Sequence, residues 1–195
     1  MSARDDILAG VRRALKDADT SEVHVPRGYR ETGPASVDVF VDRVEDYRAV
    51  VVRCGLDEVQ ARIAEALPAG ARTMVPHGLP WEVPAAVTDD SLTAVELDHV
   101  DAVVTGATVG IATTGTIVLS HGSGQGRRAL TLVPDLHVCV VRADQVVADV
   151  PDAFKLLDAD LPSTWISGPS ATSDIELDRV EGVHGPRRLH VIVAG

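Results

Sequence analysis

The chain has 195 residues, and its 18 basic and 29 acidic side chains give a formal net charge of −11 at pH 7. This length suits one domain with its own hydrophobic core and is short for two. The acidic excess, without any long run of Lys or Arg, argues against a nucleic acid or an anionic membrane surface as partner. Hydrophobic residues make up 45% of the chain, yet no stretch stays apolar over the roughly 18 residues that a membrane helix requires.

The first 36 residues are predicted to form a helical arm and a linker. Ser2 and Asp5 have the spacing of a capping box, and apolar residues then recur on one helix face. Gly and Pro without periodicity follow up to residue 36, which is typical of a linker. We therefore expect an arm over residues 1–36 and an α/β domain over residues 37–195. Because the first residues are charged throughout, they do not resemble a signal peptide, and we expect a soluble, cytoplasmic protein.

Helix and strand patterns alternate through the rest of the chain. The predicted helices cover residues 38–49, 57–67 and 151–157, and residues 77–87 are predicted to be a loop. The predicted strands cover residues 50–53, 73–75, 101–105, 109–112, 117–119, 136–142, 146–147, 165–167 and 189–193. Short apolar strands separated by helices indicate one mostly parallel sheet covered by helices on both faces. Ligands of such sheets bind beyond the carboxyl ends of strands, which directs attention to residues 113–116, 120–128, 168–173 and 182–187.

Residues 166–193 combine two Gly-Pro turns with a short acidic helix and a closing apolar strand. Ser173 and Glu176 have capping-box spacing, and Gly168 and Ser170 precede that helix start. An exposed helix N-terminus beside small hydroxyls can bind a carboxylate or a phosphate. We therefore predict anion-binding roles for Gly168, Ser170 and Ser173, while helix capping and turn formation alone would also explain these residues.

Two other loops carry residues suited to an anion. Thr114, Gly115 and Thr116 place hydroxyls and a glycine at a strand junction, although Thr is also a good strand residue. Arg127 and Arg128 form a guanidinium pair that could clamp a small carboxylate, but surface arginine pairs are common as well. The glycines of HGSGQGRR lack the spacing of a dinucleotide fingerprint, so a flexible loop is the simpler interpretation there.

Histidine and cysteine define what chemistry the chain can offer. Seven histidines show no zinc-site spacing, so we expect no metal. His184, between two glycines and near Arg187, is predicted with Arg187 to act in acid–base catalysis or to donate a hydrogen bond to the substrate, and a turn histidine is the alternative. His137 is interpreted as a structural strand residue. Cys54 and Cys139 lie in apolar runs and are predicted to be buried thiols. Without a CxxC motif the chain cannot ligate an iron–sulfur cluster by itself.

Five motifs in order, GIATTGTIVL, GRRALTLVPDLHVCVV, VPDAFKLL, SGPSATSDIEL and GVHGPRRLHVIV, resemble the lactate utilisation protein C family of LUD-domain proteins. The resemblance is strongest over residues 101–193. It implies a NagB/RpiA/CoA-transferase-like α/β fold and a role in oxidising L-lactate to pyruvate, with iron–sulfur clusters on partner subunits and no cofactor on this chain. The family often has glutamate where this chain has Thr113, so a catalytic role for that glutamate does not carry over.

Three functions follow from these observations. The first is a subunit without a cluster in an L-lactate oxidation system, acting with iron–sulfur partner proteins. The second is a stand-alone enzyme on an isomerase-like or CoA-transferase-like scaffold that acts on a small anion through His184, Arg187 and the turn at residues 114–116. The third is a purely structural or regulatory binding module.

Overall fold

The structure is a computed structural model that describes residues 2–19, 21, 24–26, 28, 33–168 and 185–195. The α-helices are α1 (Ala3–Ala14), α2 (Val37–Asp46), α3 (Val59–Ala66), α4 (Ala94–Leu97) and α5 (Val150–Phe154), and 3-10 helices cover Arg128–Thr131 and Ala143–Gln145. The strands are β1 (Val50–Cys54), β2 (Thr73–Val75), β3 (Val87–Thr88), β4 (Ala102–Gly106), β5 (Val109–Ile111), β6 (Thr116–Leu119), β7 (Leu136–Arg142), β8 (Val146–Val147), β9 (Thr164–Ile166) and β10 (Arg188–Ala194). The chain divides into two compact units, residues 1–30 and residues 31–195.

Helix α1 belongs to the first unit and begins with the predicted capping box. The Ser2 hydroxyl accepts a hydrogen bond from the backbone N–H of Asp5, and the Asp5 carboxylate accepts one from the backbone N–H of Ser2 at 3.0 Å. Two orphan N–H groups of the first turn are therefore satisfied reciprocally.

A six-stranded sheet forms the centre of the second unit. Its order is β1-β10-β7-β4-β2-β3, and every pairing in it is parallel. Its long central strands are continuous apolar runs because both faces of the sheet are covered. The predicted α/β class with a mostly parallel sheet is confirmed.

Alternate side chains of the central strands enter two different cores. On one face, Val59 and Ile63 of α3 pack in a cluster with Val138, Val140 and Ile192. On the other face, α2 contributes Phe40, Val41 and Val44 to a cluster that contains Cys139, Val141, Val191 and Val193. This second core also contains residues of a separate sheet, among them Ile117 and Leu119 of β6.

That separate sheet has four strands in the order β8-β5-β6-β9. Strands β5 and β6 form an antiparallel hairpin, β9 is antiparallel to β6, and β8 is parallel to β5. The prediction that these strands complete the main sheet is wrong. Only residues 112–115 separate β5 from β6, and a connection this short permits antiparallel pairing, whereas a parallel pair needs a crossover of about a dozen residues.

Two short elements also differ from the prediction. Val87 and Thr88, at the end of the expected loop, pair with Met74 and Val75 of β2 as an edge strand. Helix α4 has only four residues and begins at a capping box of Thr93 and Glu96. Elements of two and four residues are too short to show a hydrophobic period. Within the described part of the chain, no helix is long and apolar enough to cross a membrane.

Candidate functional site

Three polar side chains are fully buried between the two sheets. His137 and Cys139 lie on β7 and Thr105 on β4, and the register pairs Val103 with His137 and Thr105 with Cys139, so the three side chains share one face. His137 is 1% exposed, and Thr105 and Cys139 are 0% exposed. Oγ1 of Thr105 lies 2.8 Å from Nε2 of His137 and 3.7 Å from Sγ of Cys139.

These contacts form a directional chain when the proton of His137 is on Nε2. The imidazole then donates to Thr105, Thr105 donates to the sulfur of Cys139, and the thiol donates to the carbonyl of Gly106 at 3.8 Å. Each group uses its hydrogen once. Such a satisfied network accounts for three polar groups in an apolar core.

Burial fixes the protonation of the groups in this hydrogen-bond network at neutral pH. Burial, together with the smaller effect of the nearby charge of Arg128, lowers the pKa of His137 to about 4. Burial likewise raises the pKa of the Cys139 thiol to about 12, against a smaller opposite effect of the hydrogen bond from Thr105. His137 is therefore neutral and Cys139 is a thiol, which is not the nucleophilic form.

His121 follows β6 and begins residues 121–128, which we call the glycine-rich loop. Its Nε2 is 2.7 Å from Oγ1 of Thr164, at the start of β9. Its φ of 55° is in the left-handed region, which non-glycine residues adopt mainly where the surrounding structure imposes it. Burial lowers the pKa of His121, and the charge of Arg128 lowers it further. Arg128 thus acts on both histidines, and we call His121, Arg128 and His137 the histidine cluster.

Arg128 is the cation of the histidine cluster. Its Nη1 donates to the carbonyl oxygen of Thr131 at 2.9 Å and to the Thr131 hydroxyl at 3.2 Å. Partial burial lowers the pKa of Arg128, but a guanidinium remains charged at any physiological pH. A Cβ at Gly185 would lie 3.9 Å from the same Thr131 carbonyl, so the end of the Gly-Pro segment runs close to Thr131. A partly desolvated guanidinium whose charge acts on two neutral imidazoles is suited to a small carboxylate.

Arg127 has a different environment from its neighbour. Its Nε and Nη2 donate to the two carboxylate oxygens of Asp89 at 2.7 Å and 3.0 Å, and Nη2 also donates to the carbonyl of Leu92 at 2.6 Å. The bond from Arg127 holds the pKa of Asp89 below its ordinary value. The two arginines of the predicted pair therefore have different partners. Arg127 links the glycine-rich loop to the segment after β3.

The glycine-rich loop itself crosses the carboxyl ends of two strands. The carbonyl of Gly124 accepts from the N–H of Gly106 at the end of β4, and the N–H of Gly124 donates to His77 after β2, at 2.7 Å and 2.8 Å. The side chain of Gln125 accepts from the N–H of Ser120 at 2.6 Å. These bonds anchor the loop, and they position His121 and Arg128 at its two ends.

The predicted Thr114–Thr116 turn meets the strand that leads to Gly168. Oγ1 of Thr116 lies 2.7 Å from Oγ1 of Thr114 and 2.7 Å from Oγ of Ser167. The hydroxyl of Tyr47 donates to the carbonyl of Gly115 at 2.7 Å. Burial raises the pKa of Tyr47, which keeps the phenol protonated as a donor. The three hydroxyls form a short polar chain beside Gly168.

Gly115 has a packing explanation in addition to its predicted anion-binding role. Its φ is 63°, and a Cβ there would lie 2.8 Å from the backbone carbon of Arg43 in α2. Thr113, the position where the family often has glutamate, donates to Asp149 at 2.9 Å. Asp149 is the N-cap of α5, so this contact links the turn to that helix.

The remaining predicted site residues come from the Gly-Pro segment. Gly168 has a φ of 108°, and a Cβ there would lie 3.2 Å from the ring of Tyr47. Ser170, Ser173 and His184 lie outside the described residues. Arg187 immediately precedes β10, at the amino end of the main sheet, and its Nε donates to the carboxylate of Asp135.

Sequence patterns did not point to His121, Thr105 or Tyr47, and His137 was predicted to be a structural strand residue alone. For His121 the available signal was its position between a strand and the first glycine of the loop. The partner of each residue is distant in sequence, 43 positions for His121 and Thr164, so local patterns cannot reveal these contacts.

The predicted buried thiols are confirmed, and Cys54 and Cys139 lie in different cores on opposite faces of the sheet. They cannot ligate one ion or cluster together. Among the described residues, no group of three or more His, Cys, Asp and Glu side chains could hold a metal ion.

The fold and these contacts define an α/β protein with a polar cluster enclosed between a parallel sheet and a smaller mixed sheet. The sequence model of the LUD domain matches residues 40–194, and the chain therefore belongs to the LUD domain family. The resemblance noted from its motifs is confirmed.

Individual relatives agree with this family. A Lactate utilization protein C of Deinococcus radiodurans is 51% identical, over 80% of this chain and 78% of that protein. A Lactate utilization protein C of Bacillus licheniformis is 33% identical over 58% of this chain and 49% of that protein. The crystal structure of a DUF162 family protein from Deinococcus radiodurans superposes with a TM-score of 0.71 and 43% identity, covering 81% of this chain and 95% of that one.

Proposed function

We propose that this chain acts in lactate utilisation in the cytoplasm, as the subunit without an iron–sulfur cluster in a system that oxidises L-lactate to pyruvate. The observation that carries the proposal is 51% identity, over 80% of the chain, to a protein named Lactate utilization protein C. The match to the LUD domain over residues 40–194 supports the same assignment.

The chemistry of the chain's own side chains is consistent with a division of labour. Oxidation of a secondary alcohol to a ketone removes two electrons and two protons, and it requires a redox group to accept the electrons. Cys54 and Cys139 lie on opposite faces of the sheet, so they do not fit a cluster that needs about four thiolates. We assign the electron-accepting clusters to partner proteins.

We assign the binding of a small 2-hydroxy or 2-keto acid to the histidine cluster. The carboxylate would bind Arg128, whose charge is only partly solvated. The hydroxyl or keto oxygen would bind His121, which burial and Arg128 both favour in its neutral form. A neutral imidazole can donate to a keto oxygen or accept from a hydroxyl, so it suits both substrate and product.

Deleting the gene and growing the cells on L-lactate as sole carbon source tests the proposal. We expect growth on L-lactate to be lost, growth on pyruvate to be kept, and the intact gene to restore the former. Normal growth on L-lactate, in a strain with no other lactate dehydrogenase, would contradict the proposal. Purification of the tagged chain from native cells should also recover iron-containing proteins. If the purified chain alone turned over a phosphosugar or an acyl-CoA, the stand-alone enzyme would replace this assignment.

A further inference from the structure

Two aromatic rings contact each other on the surface of the second unit. The ring centroids of Phe154 and Trp165 lie 5.3 Å apart at an interplanar angle of 39°. Phe154 is 63% exposed and Trp165 is 37% exposed, whereas Phe40, the other phenylalanine, is fully buried. Exposed aromatic area of this kind is costly in water unless a partner covers it.

Further apolar side chains accompany this ring pair. Leu156 is 58% exposed and Leu161 is 54% exposed, and both lie on the connection between α5 and β9. Because Phe154 and Trp165 stand at the two ends of this connection and contact each other, they close it into a loop. We call Phe154, Leu156, Leu161 and Trp165 the aromatic patch.

The aromatic patch includes the edge of the smaller sheet. Strand β9 pairs with β6 in antiparallel register, and no other strand pairs with β9 among the described residues. Successive side chains of a strand point to opposite faces. Thr164 is buried and Trp165 is exposed, so one face of β9 meets His121 while the other presents the ring. An edge strand offers its backbone groups to an added strand.

The charges around the aromatic patch are acidic. Lys155 is the only basic residue between residues 149 and 165, and it is already paired with Asp152 at 2.8 Å. Asp158 and Asp160 are exposed, and no described residue forms a salt bridge with either. The whole chain carries a net charge of −11, which disfavours a second copy here and favours a basic partner.

We propose that the aromatic patch is a docking surface for a protein partner that presents an extended segment of alternating apolar and basic side chains. The segment adds a strand to β9, its apolar side chains cover Phe154 and Trp165, and its basic side chains complement the negative charge that Asp158 and Asp160 give this region. The inference does not depend on the proposed function in lactate oxidation, because it follows from the exposure, edge position and charge of the patch alone.

Tryptophan fluorescence of the full chain tests this surface. The chain has two tryptophans, so the Trp81→Phe variant reports on Trp165 alone. The probe is an acetylated and amidated Lys-Val repeat peptide of about seven residues, long enough for a typical strand. We expect a saturable blue shift of Trp165 emission as the peptide is added. The affinity obtained from it should fall about tenfold or more when salt is raised from about 0.05 to 0.5 M. A Glu-Val peptide of equal length should give no shift.

Matched variants assign the binding to the patch. Phe154→Ala should lower the affinity for the Lys-Val peptide at least about fivefold, an effect of about 1 kcal/mol. Leu132→Ala, which truncates a side chain 41% exposed outside the patch, should leave the affinity unchanged. Circular dichroism checks the fold, and Leu156→Ser replaces Phe154→Ala if that variant is unfolded. The proposal is overturned by the absence of a shift, by equal binding of the Glu-Val peptide, or by patch variants that bind like Leu132→Ala.

Discussion

Nε2 of His121 and Oγ1 of Thr164 lie 2.7 Å apart and join the start of the glycine-rich loop to the edge strand β9. His121 reaches this position with a φ of 55°. The loop that follows is bonded to the carboxyl ends of β4 and β2, and it ends at Arg128. One loop thus carries a histidine at its start and an arginine at its end, and the charge of Arg128 lowers the pKa of His121.

Replacing His121 by alanine should lower the free energy of unfolding by about 1–2 kcal/mol. The variant loses the bond to Thr164 and keeps a backbone conformation that alanine disfavours. Asparagine tolerates this conformation better, so His121→Asn should lose less. Urea unfolding measures both changes, with the exposed His99→Ala as control. Equal stability of His121→Ala and His99→Ala would contradict the assigned contact.

The stability of the fold should fall as the pH drops below the ordinary pKa of histidine, because of His137. Its pKa is about 4 in the folded protein and about 6.5 when unfolded, so the unfolded chain binds more protons between these values and stability rises with pH there. Linkage gives a loss of about 2 kcal/mol between pH 7 and pH 5.

The matched variant for this prediction is His137→Gln, which has no group to titrate in this range. Urea unfolding at pH 7 and pH 5 should show a smaller loss for the variant, and the difference from the parent chain is the contribution of His137. An identical pH dependence of the two proteins would show that His137 already binds a proton near pH 6.5 in the folded state.

Arg127→Met should lower the free energy of unfolding by about 2 kcal/mol. The substitution leaves the carboxylate of Asp89 without its ion-pair partner, and the Asp89 side chain is only 9% exposed. Arg142→Met is the control, since Arg142 pairs with Asp144 on the surface at 2.8 Å and such pairs contribute about 0.5 kcal/mol. The two variants should differ clearly in their urea midpoints. A control that loses as much as Arg127→Met would mean that the Asp89 pair is not special.

Gly115→Ala and Gly70→Ala form a second matched pair. Both glycines have positive φ, 63° and 75°, but a Cβ at Gly115 would meet the backbone of Arg43 at 2.8 Å while one at Gly70 would meet nothing within 4 Å. We expect a loss of about 1 kcal/mol for Gly70→Ala from backbone strain alone. Gly115→Ala should lose about 1–3 kcal/mol more, since α2 or the turn must shift. Thermal unfolding separates the two, and equal losses would rule out the close approach.

Much of the fold follows from local sequence. The β-branched runs of β1, β7 and β10 and the apolar face of α3 predict a parallel sheet with helical cover, because such strands are buried on both faces. The separation into two sheets does not follow from these runs, since β5, β6 and β9 are equally apolar. The four-residue connection between β5 and β6 was the usable signal, because its length alone excludes parallel pairing.

The site was predictable only in part. Thr116 and Gly168 were each predicted from their residue types to bind an anion, and the contact of Thr116 with Ser167 brings the two loops together. The sequence does not distinguish Arg127 from Arg128. The contact of Arg127 with Asp89, 38 residues away, shows that Arg127 is the structural arginine, whereas Arg128 acts on the two histidines. Contacts of this kind depend on tertiary packing, which no local pattern encodes.

The most direct test of the central claim is the growth rate on L-lactate of a strain that lacks this gene and carries the parent chain, Arg128→Met or Arg142→Met. We predict that the parent chain and Arg142→Met restore growth, and that Arg128→Met fails to restore it while it accumulates in cells to the same level. Growth of the Arg128→Met strain at the rate of the parent chain would contradict the assignment of the histidine cluster to lactate utilisation.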